Sequence, residues 1–138
     1  MTGSRRALRA ALGFALAGAL VLSLALSAHA APRVVLASKT SEGAPADGHS
    51  VGGVLSRNGS LEVFDSKADN LPGSIRFTQE VYVRNFDKGT TELVSVNNNG
   101  DPADDSVFGV AISANGRFVV LWGRPSNLPG GDGRTSLV

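Results

Sequence analysis

The sequence predicts an all-β fold, two tandem four-stranded antiparallel units of which the second is incomplete. Three observations predict it. Asn-Gly stands twice between apolar, β-prone runs, in Leu55-Ser56-Arg57-Asn58-Gly59-Ser60-Leu61-Glu62-Val63-Phe64 and in Ile112-Ser113-Ala114-Asn115-Gly116-Arg117-Phe118-Val119-Val120-Leu121. The two copies lie 57 residues apart, and their likeness runs well beyond the turns. Glu80-Val81-Tyr82-Val83-Arg84-Asn85-Phe86 alternates and is rich in β-branched and aromatic residues, the signature of a half-buried strand.

The first thirty residues are expected to stand apart from that fold. Arg5, Arg6 and Arg9 form a positive n-region before an apolar run from Ala10 to Leu26. The run closes on Ala28-His29-Ala30, an A-x-A site with Ala31-Pro32 beyond it. This pattern is that of a helical secretory signal peptide over 1–30, with cleavage after Ala30. A retained transmembrane helix of about 20 residues is the rival reading, and the small-residue exit favours the signal. Ser4-Arg5-Arg6-Ala7-Leu8 resembles a twin-arginine signal, although Arg9 stands where that motif prefers an apolar residue, so the export route stays open. With no Cys there is nothing to acylate, no disulfide framework and no thiol chemistry. Export implies a secreted or periplasmic protein with no membrane span after processing.

Residues 31–138 keep ten basic against twelve acidic side chains, a net charge near −2. A nearly neutral chain without a Lys/Arg block has no electrostatic footprint for nucleic acid. Its stability has to come from apolar burial, which is limited at this size.

Taken in order, Val34 to Ala37 is a short apolar run expected to form a strand. Residues 41–50 read as a loop, with Gly43, Pro45 and Gly48 and little that is apolar. Strands at 51–56 and 61–66 form the first Asn-Gly hairpin, expected to close through a two-residue type I′ turn. A second loop ends in Asn70-Leu71-Pro72-Gly73. Strands at 80–86 and 91–96 form another hairpin through Asp87-Lys88-Gly89-Thr90.

Then the pattern restarts. A shift of 57 pairs 34–81 with 91–138 without a gap and gives 17 identities in 48 pairs, where average composition yields roughly three. Pro45/Pro102, Ala46/Ala103 and Asp47/Asp104 are identical, and Asn70–Gly73 returns whole as Asn127–Gly130. Loops and turns keep their lengths, so the likeness is a structural repeat, with unit one at about 34–90 and unit two at about 91–138. Four short strands per unit at this period argue for propeller blades, since a single sandwich gives no reason for an in-register repeat.

At these residues the chain resembles the TolB-like, WD-like β-propeller repeats of exported bacterial proteins. Ser113-Ala114-Asn115-Gly116-Arg117-Phe118-Val119-Val120-Leu121 is similar to the family's Ser-x-Asp-Gly-Arg turn and following strand, with Asn115 in place of the usual Asp. Val81-Tyr82-Val83-Arg84-Asn85-Phe86 with Asp87-Lys88-Gly89-Thr90 is similar to its next strand and turn. The resemblance implies an incomplete β-propeller that binds or scaffolds protein or cell-envelope material, with ligand contacts from loops 41–50, 67–79, 97–106 and 124–134. Propellers close with four to eight blades, and this sequence holds fewer than two. A fragment of a longer propeller is the leading expectation. The alternatives are completion by other copies through open strand edges, or a chain that does not fold stably alone. An enzyme-associated propeller with its hydrolase-type catalytic part elsewhere is the alternative function.

Chemistry of the chain's own is not expected: no catalytic, cofactor or metal residues are assigned, and Asn58, Gly59, Asn115 and Gly116 are singled out as structural turns. His49 is the one His after the signal, and it sits in a Gly-rich loop. The oxygen-rich Asn97–Asp105 loop lacks the alternating carboxylates and late Glu of a calcium loop, with Ser106 where the Glu belongs. Glu62 with Glu92, or Asp65 with Asp69, have no spacing that sets them above surface carboxylates. Trp122 replaces Asp65 in the repeat and is expected to pack in the sheet stack.

Overall fold

The computed structural model describes residues 33–134 together with 136 and 137, so the signal-peptide expectation over 1–30 lies outside the described residues. No helix occurs among the described residues. Four strands, β1 (Ser50–Leu55), β2 (Leu61–Ser66), β3 (Glu80–Asn85) and β4 (Thr90–Leu93), form an antiparallel meander in that order. A second antiparallel sheet holds β5 (Val107–Ile112), β6 (Val119–Gly123) and the two-residue β7 (Ser136–Leu137).

The repeat is a repeat of geometry. Val51 pairs with Asp65 and Val54 with Val63, and 57 residues on Phe108 pairs with Trp122 and Ala111 with Val120. A bulge interrupts both hairpins at equivalent places, between Val51 and Val54 and between Gly109 and Ala111, but its backbone differs: Gly52 and Gly53 take positive φ (79° and 140°), whereas Gly109 and Val110 do not. The lone bridges Lys39–Pro45 and Val96–Pro102 keep the same offset. The pairing of β7 departs: Trp122 pairs with Leu137 and Gly123 with Ser136, one residue off the β2–β3 register.

Two expectations fail locally. The Asn-Gly turns are not two-residue type I′ turns. Ser56 N–H donates to Leu61 O and Gly59 N–H to Ser56 O, both at 2.9 Å, and Ser113–Phe118 and Gly116–Ser113 do the same. Gly59 (φ 71°) and Gly116 (φ 72°) take the left-handed position, but Asn58 and Asn115 do not, since Phe77 is the one non-glycine at positive φ among the described residues. The cause is the Asn side chain. Asn58 Oδ1 accepts from Ser60 N–H at 3.2 Å and Ser56 Oγ–H at 2.9 Å, and Asn115 accepts likewise from Arg117 and Ser113. Each Asn therefore builds an Asx turn inside a four-residue loop with only the Gly left-handed. The run Val34–Ala37 is also not a strand, and Val34, Val35 and Leu36 stand exposed. A short segment with no neighbouring strand leaves its ladder bonds unmade.

Strand alternation gives each sheet two faces. Val63, Asp65, Val81 and Val83 lie on one face of the first sheet, here called the forward face, and Phe64, Ser66, Glu80, Tyr82 and Arg84 on the rear face. In the second sheet the rear face carries Val107, Gly109, Leu121 and Gly123. The forward face carries Phe108, Ala111, Val120 and Trp122. The main core joins forward to rear: Val63 and Val81 pack with Val107, Leu121, Ala103 and Leu128. Each fully buried Val or Leu contributes about 2 kcal/mol. A second cluster, Phe64, Tyr82, Ala68 and Leu71, covers the rear of the first sheet, with the Phe64 and Tyr82 rings stacked 5.6 Å apart.

Gly109 explains why the sheets approach so closely. A Cβ there would lie 2.6 Å from Val63 Cγ1 and 3.0 Å from Val81 Cγ1. Its N–H donates to Asp65 Oδ1 at 2.8 Å, while Val107 N–H donates to Gln79 O at 2.9 Å. The interface is thus an apolar patch pinned by backbone donors.

Candidate functional site

An open cleft of about 790 Å³ lies between the forward face of the first sheet and the tip of the β5–β6 hairpin. Leu61, Val83 and Val94 form its apolar floor, and Lys88, Glu92 and Arg117 supply charges of both signs. Phe118 lines the same cleft and is largely exposed. Alternation explains the floor, because Leu61, Val83 and Glu92 all point forward from adjacent strands. The hairpin explains the wall: Gly116 lets the tip settle on Leu61, and Arg57 N–H donates to Ala114 O at 3.3 Å. Arg117 lies with its guanidinium 5.4 Å from the Phe118 ring centre, so a cation and an aromatic face are presented together.

A row of buried polar groups runs along the rear of β3. Ser95 Oγ accepts from Val81 N–H at 3.1 Å and donates to Glu80 Oε2 at 2.6 Å. Arg84 Nη1 donates to Thr40 O at 3.2 Å and Thr91 Oγ1 at 3.1 Å, tying the segment before β1 to β3 and β4. Burial pushes the Glu80 carboxyl above its ordinary range, the Ser95 bond acting in the other direction. Burial, and then the neighbouring Glu80 charge, push the Tyr82 phenol up as well. On the forward face Asp65 is raised by burial, which outweighs its bonds from Gly109 and Gln79. These groups are sealed in the core, and their geometry ties strands together without presenting a reactive atom to solvent.

The loops are fastened by a clasp that occurs twice. Asp47 N–H donates to Asn70 Oδ1 at 3.1 Å, Asn70 Nδ2 donates to Pro45 O at 2.8 Å, and Asp47 Oδ1 accepts from Asp69 N–H at 2.8 Å. Asp104, Asn127, Pro102 and Ser126 make the same three bonds at 3.0, 2.8 and 2.7 Å. The Ser126 hydroxyl also donates to Asp104, and its bonds, first among the causes, hold that carboxyl below the usual range. Loops 41–50 and 67–79 are therefore one assembly, and so are 97–106 and 124–134. Of these four, only 97–106 reaches the cleft, through Asn98.

The candidate residues separate rather than converge. His49 is exposed, with its carbonyl accepting from Lys67 N–H. Glu62 and Glu92 lie on opposite faces of the first sheet. Asp65 is held by Gly109 and Gln79, whereas Asp69 pairs with Arg76 at 3.6 Å. In the Asn97–Asp105 loop, Asn97 Oδ1 accepts from the N–H groups of Asn99 and Asp101, which commits that oxygen to the turn. Among the described residues no three His, Cys, Asp or Glu side chains gather as a metal site. Trp122 is not buried between sheets. It stands partly exposed against Phe108, ring centres 5.4 Å apart. Sequence reasoning missed the cleft residues Lys88, Arg117 and Phe118. The only signal was that the two hairpin tips differ: Arg117-Phe118 replaces Ser60-Leu61.

Comparison with protein families, curated proteins and solved structures finds no match for this chain.

Proposed function

We propose that this is an exported, non-catalytic binding or scaffolding protein built of TolB-like propeller repeats, and that it holds a protein or cell-envelope ligand in the cleft between its two sheets. The observation that carries the binding role is the cleft itself, an apolar floor with Lys88, Glu92 and the Arg117–Phe118 pair at its rim. Such a mixture suits an extended polar ligand with an apolar or aromatic part. Export rests on the signal-like residues 1–30, and the blade reading rests on the repeat and on its resemblance to exported propellers.

Two measurements test the reading. Mass spectrometry of the protein recovered from its producing cells is expected to give an N-terminus at Ala31, and recovery of the intact N-terminus inside the cell counts against export. Binding of the recovered protein to an array of envelope glycans and short peptides is expected to fall at least tenfold in Arg117→Glu and Phe118→Ala. It should be unchanged in Lys67→Ala, a surface residue away from the cleft. Equal binding by all of them removes the cleft from the proposal.

A further inference from the structure

We infer that this chain associates with further copies of itself head to tail, the forward face of the second sheet in one copy covering the rear of the first unit in the next. The inference goes beyond the binding role and does not rest on it. It rests on one interface already visible inside the chain. There the forward face of the first sheet is covered by the rear of the second unit. The 57-residue repeat carries that interface onto a bare forward face of the second sheet and onto a rear side of the first unit that is open at Leu55 and Gly52, Phe64 and Leu71 being covered by their own unit.

The forward side shows this position by position. Val63 is 1% exposed and its repeat partner Val120 is 38% exposed; Asp65 is 6% exposed and its partner Trp122 is 43% exposed. Phe108 extends the same apolar surface. The rear side shows the converse. Ile112 packs against the main core, while its partner Leu55 is 56% exposed. A Cβ on Gly109 would strike Val63 and Val81, whereas one on its partner Gly52 would meet nothing within 4 Å. One chain therefore carries both halves of an interface it already makes once, and the halves point in opposite directions along the stack.

The bare halves also match in size. Where the internal contact sets a small Asp65 against Gly109, the external one would set a large Trp122 against Gly52. Beside Gly52 lies a cleft of about 190 Å³, lined by Val35, Leu36, Phe64 and Glu62. It offers a slot for the indole and, in the Glu62 carboxylate, an acceptor for the indole N–H, which needs a partner when buried. The exposed Val35 and Leu36 become part of the receiving surface. A contact of this kind is heterologous, so it closes only as a ring or runs on as a filament. Closed rings of four to eight sheets correspond to roughly two to four copies of a two-sheet chain.

The test uses the full protein as its host produces it and two variants, Val120→Glu on the forward side and Leu55→Glu on the rear. Light scattering is expected to give a discrete mass of about two to four chains for the parent, rising with concentration from one. Trp122 is the single tryptophan, so its emission should shift to the blue over the same range. Each variant alone is expected to stay at one chain with unchanged circular dichroism. An equal mixture of the two should recover a two-chain species, since one intact forward side then meets one intact rear side. A parent of one-chain mass at every concentration overturns the inference. So does a Leu55→Glu variant that still associates, which would indicate contact between like faces. Should either glutamate unfold the chain, Phe108→Ser and Leu36→Ser carry the same mixing test.

Discussion

The first hairpins of the two sheets share one register, one turn geometry and one loop clasp, and yet their equivalent residues live in different surroundings. Val63 is core and Val120 is surface; Gly109 meets side chains and Gly52 meets none. The comparison separates what a repeat specifies locally from what it acquires through its neighbour. Turns and clasps are made within a unit and are therefore the same in both. Burial is made between units, so it differs wherever only one copy has something beside it.

That contrast can be broken most sharply at the paired valines. Val63→Asp places an unpaired charge in the main core and should cost about 4 kcal/mol. Val120→Asp, at the same point of the second sheet, should cost under about 1 kcal/mol. Urea unfolding of the two variants measures the difference, and equal losses would show that the sheets do not pack as described.

The clasps test the opposite half of the comparison, where the units should agree. Asn70→Ala and Asn127→Ala each remove the same pair of loop bonds. Each should lower stability by about 1 kcal/mol. A loss confined to one unit would mean that the other clasp does not hold its loops in solution.

The buried acids give a smaller, pH-dependent effect. Burial raises the Glu80 and Asp65 carboxyls in the folded chain, so folding favours their protonated forms. Their contribution is fully present below the unfolded values and is lost as pH rises through the raised folded ones. Glu80→Gln can keep an acceptor for Ser95 without the charge. It is expected to raise the melting temperature by a few degrees at pH 7, the gain shrinking toward pH 4. A gain that is instead larger at pH 4 would contradict the assigned direction.

The smallest contrast lies at the two turn glycines. Gly59→Ala and Gly116→Ala both force alanine to positive φ, at a cost of roughly 1 kcal/mol. Gly116→Ala also crowds Leu61, which Gly59→Ala does not. The excess at 116, about 0.5 kcal/mol because a leucine side-chain tip yields readily, reads the hairpin contact alone.

Much of this architecture was legible in the residues. The strand 61–66 stands where alternation and Asn-Gly put it, and 80–86 is observed as Glu80–Asn85. The repeated sequence predicted two like units, and β1–β2 and β5–β6 pair at equivalent positions. What the residues did not convey was contact. A strand pattern tells which side chains share a face and not what covers it, so Trp122 read as packed in the sheet stack when it stands partly exposed against Phe108. The turn type was misread for a related reason. Asn reaches positive φ at low cost, but an Asx bond to the backbone N–H two residues on competes, joined in both turns by the hydroxyl of the serine that precedes it, Ser56 or Ser113. The cleft was hidden because its walls come from residues more than twenty positions apart, Lys88 and Glu92 on one side and Arg117 on the other.

The clasp between Asp47 and Asn70, and again between Asp104 and Asn127, closes wholly inside its own unit. A segment duplicated in the gene would therefore bring along the means of shaping its own connections, leaving natural selection only the boundary surface to refine. The lineage of such a protein is expected to change in number of modules more readily than in the design of any one module.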